Sequence, residues 1–469
     1  MITFHRPVFY VLLLTLASSC ATYYEVNREF TEDFESGRLE QANEVLARKK
    51  KIEKSKDRLL YFLNRGVVLS MLGEYEESNE YLEKAYLYTE DYQVNYLNEA
   101  TSLLTNPMFT AYRGEDHENL MVLYYKALNF LRMGKYDEAL VECRRLNIRL
   151  QQLSDKYTSA KKYQKDAFIH TLMGIIYDAK KDYNNAFIAY RNALEIYNTD
   201  YKDIFSIGPP DQLKEDLLRT AWLTGFYEEF DHYKREFDME SYEYSPHAGG
   251  TLVFFWNNGL GPVKSEWSVN FAVVHGAGGV VNFTNDEYGF SFPFTVPYDK
   301  QDESTSLKDL EFFRVAFPKY QERALFFNEA AIRVNGQRYG LELAEDVNAI
   351  AFRSLRERML KEFGKALLRV ALKKAAEHGA RKEDEGLGAA VSFLNALTEK
   401  ADTRNWQTLP HSIYYTRVPL PAGDQQVTLE LSSKKIDNNH EQVFQYHVEK
   451  GKTIFQTFSS LEYSHQPYY

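Results

Sequence analysis

Residues 59–85 read LLYFLNRGVVLSMLGEYEESNEYLEKA, and this stretch decides the fold. Apolar residues recur at spacings of three and four on both sides of Gly73, a pattern typical of two amphipathic helices. Gly73 interrupts the pattern, and Tyr75 follows at the turn. The small residues Gly66 and Ser78 predict that the two helices approach each other closely.

This hairpin resembles a tetratricopeptide repeat, a helical pair that recurs about every 34 residues. Four copies share one register. The residue after the turn is Leu39, Tyr75, Tyr136 or Tyr183; three residues later stand Ala42, Ser78, Ala139 and Ala186; the turn itself holds Gly37, Gly73, Gly134 and, in the last copy, Lys181. Because one hairpin cannot bury its own apolar face, the copies predict an α-solenoid over residues 23–240. A further helical pair after Pro209-Pro210 is expected to close it.

The N-terminus indicates where the protein resides. His5 and Arg6 precede a short apolar run, Val8–Leu16, and Ala17-Ser18-Ser19-Cys20 follows. This order resembles a bacterial lipoprotein signal, which implies cleavage before Cys20 and lipidation of its thiol. The alternative is an ordinary secretory signal with a cysteine there by chance. We expect a protein that a lipid anchors in the bacterial envelope, at the outer membrane and facing the periplasm.

Composition narrows the classes of function. The net charge of −11 argues against nucleic-acid binding. The chain has two cysteines, so lipidation of Cys20 leaves Cys143 without an intrachain partner, and Cys143 is expected to be a small core residue.

A second kind of pattern begins near residue 249. Alternating segments predict strands at 251–256, 266–274, 289–296, 312–317, 413–418, 427–431 and 443–448, and Asn335-Gly336 predicts a hairpin turn. Helical periodicity returns between about 343 and 400. The fold class is therefore α+β and multidomain: a signal at 1–19, a helical-repeat domain at 20–240, a linker at 241–248, and an α+β domain with sandwich-like strands and inserted helices at 249–469.

Three stretches extend the resemblance beyond the repeats. They are Asn258–Lys264 (NGLGPVK), the long helix around Ala344–Lys374, and Ala401–Pro410 (ADTRNWQTLP). Together with the signal and the repeats they resemble an uncharacterised family of tetratricopeptide lipoproteins of Gram-negative bacteria. The resemblance implies no activity. Some members are encoded near activators of cell-wall synthases, which is context and not mechanism. The corresponding expectation is a partner protein of the envelope, in wall synthesis or in secretion.

The sequence lacks the common catalytic and metal-binding motifs. It contains neither His-Glu-x-x-His nor Gly-x-Ser-x-Gly, and its histidines form no pair at ligand spacing on one predicted element. We therefore expect a protein that is not an enzyme, with no catalytic residue, metal or cofactor.

Two groups of residues are candidates for binding. In solenoids of this type the first helix of each repeat lines the concave face, and the register assigns to it Leu60, Leu63, Val67, Met121, Tyr124, Leu128, Phe168 and Ile175. An exposed apolar face would hold an envelope protein partner; the alternative is that another part of this chain fills it. The second group, Asp402, Arg404 and Trp406, is either a recognition loop or a buried ion pair with an aromatic plug.

The expected function is thus that of a lipid-anchored periplasmic adaptor that binds a protein partner. The rival from another class is a glycan-binding or enzymatic module in the second half, with the solenoid as its docking arm. A deep polar pocket containing Asp402 or Arg404 would favour the rival.

Overall fold

The computed structural model describes residues 23–94, 110–155, 162–276, 280–287, 290–295, 312–359, 367, 401–433 and 440–461. The signal segment with Cys20 lies outside the described residues, and so does most of the predicted inserted helical region after residue 359.

The first half is built from antiparallel helical pairs. The helices are α1 Tyr23–Val26, α2 Arg28–Glu35, α3 Leu39–Arg48, α4 Arg58–Leu72, α5 Tyr75–Val94, α6 Asp116–Arg132, α7 Tyr136–Ser154, α8 Ala167–Ala179, α9 Tyr183–Ile196, α10 Lys202–Phe205, α11 Asp211–Thr224 and α12 Tyr227–Glu236. A 3₁₀ turn spans Lys50–Lys54, and a π-helical turn spans Tyr197–Tyr201. The predicted tetratricopeptide-like array and its closing pair are confirmed. No helix in the described ranges is long and apolar enough to cross a membrane.

The predicted register is also confirmed. The second helices begin at Leu39, Tyr75, Tyr136 and Tyr183, the four residues that the alignment placed after the turn. The turn residues Gly37, Gly73 and Gly134 have φ of 73°, 86° and 70°. Lys181 takes the same left-handed conformation, with φ of 63°, although it has a side chain.

Close helix approach depends on the small residues of the repeat. A Cβ on Gly66 would stand 2.5 Å from Leu82 Cδ2, and one on Gly174 would overlap the ring of Tyr190. Ser78 Oγ donates to the carbonyl oxygen of Gly66 at 2.6 Å, so the first hairpin is pinned at the same point. Replacing any of these residues by a larger one forces the paired helices apart.

The second half consists of three four-stranded sheets in the described part of the chain. The strands are β1 Gly250–Asn258, β2 Val263–His275, β3 Val280–Asn285, β4 Phe290–Thr295, β5 Phe312–Gln321, β6 Glu329–Val334, β7 Gln337–Gly340, β8 Glu342–Asp346, β9 Ser412–Leu420, β10 Gly423–Ser432, β11 His440–Val448 and β12 Thr453–Ser460. The strand orders in the three sheets are β12-β1-β9-β8, β11-β10-β6-β7 and β4-β3-β2-β5.

The first sheet lies between the solenoid and the second sheet. On β1, Val253 and Phe255 belong to the core shared with the helices, whereas Leu252, Phe254 and Trp256 belong to the core shared with the second sheet. Both faces of this strand are therefore buried, which explains why residues 252–256 form an unbroken apolar run. The helical array, the first sheet and the second sheet thus form three successive layers, and the third sheet has a core of its own.

Several boundaries differ from the sequence-based expectation. The strands β3, β8 and β12 were not predicted as separate elements. The inserted helix was expected to begin near residue 343, but Glu342–Asp346 is a strand that pairs with β9, and the described helix spans 347–359. The Asn335-Gly336 turn is confirmed: both residues have positive φ, 50° and 79°, between β6 and β7.

Gly174→Ala tests the helix packing. The added methyl group meets the ring of Tyr190, so the free energy of unfolding should fall by about 1–2 kcal/mol. Gly208→Ala is the matched control, because nothing lies within 4 Å of a Cβ there. Urea unfolding measures both variants; equal stability of the two would contradict the assigned packing.

Candidate functional site at the junction of the two halves

The predicted concave face is covered by the second half of the chain. Leu60, Leu63, Val67, Met121, Tyr124, Leu128, Phe168 and Ile175 are all at most 8% exposed. They share one core with β1, β9 and β12 residues such as Phe255, Tyr415 and Phe455. The expectation of an open groove is therefore corrected in favour of its alternative, a face filled by the same chain. A role for these residues in binding a partner stays a prediction.

Aromatic contacts and specific hydrogen bonds hold the β-sheet on this face. Tyr124 Oη donates to Asn257 Oδ1 at 3.0 Å, so a groove residue bonds directly to β1. The ring of Phe168 lies 6.3 Å from that of Phe255, edge to face. Tyr197 Oη donates to the carbonyl oxygen of Ala344 at 2.6 Å. Such contacts fix one register of the sheet on the helices.

The predicted recognition loop connects the halves. Arg404 is buried and forms ion pairs of 2.7 Å with Asp402, on its own loop, and with Asp57, at the start of α4. Arg404 also donates to the carbonyl oxygen of Thr110 at 3.1 Å. Trp406 is buried beside Tyr125, with ring centroids 5.9 Å apart. This geometry is that of the structural alternative, a buried ion pair with an aromatic plug.

A second set of buried charges surrounds the N-terminus of α6. Glu115 pairs with Lys264 of β2 and, at 2.8 Å, with Arg358 of the 347–359 helix. Burial opposes ionisation of Glu115, but Arg358 and Lys264 outweigh it and lower the pKa of Glu115 to about 2. Lys264 also donates to the carbonyl oxygen of Arg404 at 2.9 Å, so the two sets are joined.

Glu118 completes this set. Its carboxylate accepts from Trp406 N at 2.6 Å, from Tyr112 Oη at 2.7 Å and from Glu115 N at 2.9 Å. Burial and the charge of Glu115 nevertheless raise the pKa of Glu118 to about 7. Glu115 and Glu118 also form the capping box of α6, so the helix start and the junction of the halves depend on the same side chains.

Another ion-pair network lies near the far end of the array. Arg417 of β9 pairs with Asp216 at 2.6 Å and with Asp178 at 2.8 Å. Arg219 contacts both acids from α11. Burial tends to raise the pKa of Asp178, but Arg417 and Arg219 lower it below its ordinary value. Arg417 of β9 therefore connects α8, which carries Asp178, with α11, which carries Asp216.

Two carboxyl groups meet between these networks. Tyr163 Oη donates to Asp166 at 2.8 Å, and Tyr201 Oη donates to Glu345 at 2.9 Å. Burial raises the pKa of both Asp166 and Glu345. Together with His117 they line a cavity of about 20 Å³. A cavity of this volume has room for about one water molecule. Among the described residues no group of three or more His, Cys, Asp or Glu side chains is placed to hold a metal ion.

Of the charged residues that join the halves, Asp402 and Arg404 were predicted from the sequence as candidates, and the others were not. Glu115, Lys264, Asp216, Glu345 and Arg417 come from segments far apart in the chain, and none belongs to a spaced motif. Lys264, the charged end of the NGLGPVK stretch, was the one signal available.

The fold defines a class of protein: a tetratricopeptide-like helical array followed by a β-sheet-rich half. No protein-family model matches the chain, and no curated protein matches it. Solved structures resemble it distantly, over about half its length.

MamA from Desulfovibrio magneticus RS-1 is 14% identical over 47% of this chain and 95% of its own, with a TM-score of 0.29. The apo form of RapI is 15% identical over 51% of this chain and 60% of its own, with a TM-score of 0.35. The TPR-like repeats of a putative kinesin light chain from Podosopora anserina are 14% identical over 45% of this chain and 90% of their own, with a TM-score of 0.30. These likenesses concern the helical half and carry no statement of function.

Arg404→Met tests the junction. The change leaves the half-buried Asp57 and Asp402 without their shared cation, so the free energy of unfolding should fall by roughly 2–3 kcal/mol. Arg314→Met is the control, at an exposed arginine that donates to Ser268 on the third sheet. Calorimetric melting compares the two; a loss no larger than that of the control would contradict a joining role.

Glu118→Gln tests the electrostatics of the same junction. The pKa of Glu118 is raised from 4.5 to about 7 on folding, so its contribution to stability is fully present below pH 4.5 and is lost as pH rises through 7. Glutamine cannot lose a proton. The variant should therefore gain up to about 2–3 kcal/mol relative to the wild type between pH 5 and pH 8.

Urea unfolding at a series of pH values measures this difference, and Glu138→Gln, at an exposed site on α7, controls for the chemical change. A difference between wild type and Glu118→Gln that stays constant with pH would contradict the assignment.

Proposed function

We propose that this protein is a non-enzymatic scaffold that a lipid on Cys20 anchors in the bacterial envelope, at the outer membrane and facing the periplasm, where it binds a protein partner. The observation that supports the proposal is the tetratricopeptide-like helical array itself. Arrays of this kind serve as binding surfaces for other proteins. Here the buried charges lie between the two halves and pair with one another, as expected for a structural junction.

Because the concave face is covered, the outer surface of the array is our candidate for the partner site. Val141 and Ile148 lie seven residues apart, on one face of α7, and are 47% and 60% exposed. Ile188 of α9 and Leu87 of α5 are exposed as well. Exposed apolar side chains on these helices are suited to contact with a protein partner.

The rival function gains no support from the described residues. Asp402 and Arg404 lie in the ion-paired loop between the halves. The described cavity next to that loop is lined by Asn405, Gln407 and Thr408 and contains neither of them.

Crosslinking in cells, followed by purification of the full chain, tests the proposal. Val141→Glu with Ile148→Glu should lower the yield of a specific crosslinked partner at least fivefold, because two charges then enter the contact. Val274→Glu with Val443→Glu is the matched control, at two similarly exposed valines of the β-sheet half.

The anchor is tested in the same cells. Cys20→Ser should leave the protein soluble or unprocessed. A mature variant that stays in the membrane fraction would exclude lipid attachment, and equal crosslinking by both double variants would exclude the α7 surface.

A further inference from the structure

A strongly basic segment stands out in this acidic protein. Residues 48–58 read RKKKIEKSKDR, with seven basic and two acidic side chains, in a chain whose net charge is −11. The segment connects α3 to α4 and contains the 3₁₀ turn Lys50–Lys54. The segment contains none of the aligned repeat positions. Of its side chains, Asp57 takes part in the junction of the two halves, through its ion pair with Arg404.

The segment lies beside the first described helix. Lys49 Nζ donates to the carbonyl oxygen of Val26 at 2.7 Å, and Arg48 pairs with Glu29 at 2.7 Å. These contacts place the exposed lysines next to the first described helix, Tyr23–Val26.

Hydrogen bonds fix the start of the first described helix on the rest of the protein. Tyr24 Oη donates to the carbonyl oxygen of Asn405 at 2.8 Å, and Asn64 donates to Tyr23 Oη at 3.3 Å. Tyr23 is three residues after Cys20. Three residues span at most about 10 Å, so a lipid on Cys20 would hold this face of the protein close to the bilayer.

Two of the acidic groups around the segment form ion pairs with other residues. Glu29 pairs with Arg48, and Asp57 pairs with Arg404. Glu53 is half-buried within the segment, and Glu25 lies on α1. Within the described ranges Lys50, Lys51 and Lys54 are exposed and form no ion pair with these acids. Their charges are therefore directed to solvent on the side where the anchor would be.

We propose that residues 48–58 form a contact surface for anionic phospholipid, which acts together with the lipid on Cys20 and fixes the orientation of the body on the membrane. This inference rests on the proposed lipid attachment. Basic residues within a Debye length of an anionic leaflet each strengthen binding about fivefold. A lipid chain combined with a polybasic surface binds membranes more stably than the chain alone.

Vesicle flotation tests the surface without the lipid. The mature chain from residue 20, carrying Cys20→Ser, should float with phosphatidylcholine vesicles that contain phosphatidylglycerol. It should not float with phosphatidylcholine alone, and high salt should release it. Lys50→Glu, Lys51→Glu and Lys54→Glu together should weaken flotation at least about tenfold.

The matched control carries the same change of charge elsewhere. Lys202→Glu, Lys450→Glu and Lys452→Glu, at exposed sites on α10 and beside β12, should keep flotation within about twofold of the parent. An equal loss in both triple variants, flotation with neutral vesicles, or binding to duplex DNA in preference to vesicles would overturn the proposal.

Palmitate labelling of the wild-type chain in cells distinguishes failure of the lipid attachment at Cys20 from failure of the phospholipid-contact surface. Absence of label on Cys20 with flotation intact would refute the lipid attachment and leave the phospholipid surface supported. Label on Cys20 without flotation would refute the surface alone.

Discussion

The structure depends on the burial of one strand on both faces. β1 pairs in parallel with β12 and antiparallel with β9, and its side chains alternate between two hydrophobic cores. Val253 and Phe255 complete the concave face of the helical array, and Leu252, Phe254 and Trp256 complete the sandwich of sheets. Removing the sheet would expose an apolar face on each side, so the helical array does not complete its core without the β-sheet half.

Charges determine how the two halves are matched. Arg404, Lys264 and Arg417 reach from the β-sheet half to acids of the array, at its beginning, at α6 and near its end. Paired buried charges contribute little net stability compared with apolar residues, but an unpaired one is strongly unfavourable. The ion pairs therefore disfavour any other position of the sheet on the helical array, because a displaced sheet would leave buried charges without partners. Apolar contacts alone would tolerate such a displacement.

This closed arrangement changes where a partner or a membrane can make contact. A tetratricopeptide-like array usually offers its concave face, but here that face is core. The outer helices and the loops between pairs remain. The apolar residues of α7 and the basic 48–58 segment lie on different helical pairs, so protein contact and membrane contact would use separate surfaces of the protein.

The sequence by itself determined the local structure. Helix starts at Tyr75, Tyr136 and Tyr183, left-handed turns at Gly73 and Gly134, and the hairpin at Asn335-Gly336 follow from residue spacing and from backbone conformations that few residues adopt. Each of these features depends on residues close together in the chain, so the sequence pattern is enough to predict it. The tertiary structure alone decided that the groove is filled, that 252–256 is buried on both faces, and that Asp402, Arg404 and Trp406 join the halves. An apolar residue is patterned in the same way whether it faces a partner or another part of its own chain. The pairing of Glu115 with Lys264 or of Asp216 with Arg417 spans well over a hundred residues, and no spacing in the sequence encodes it.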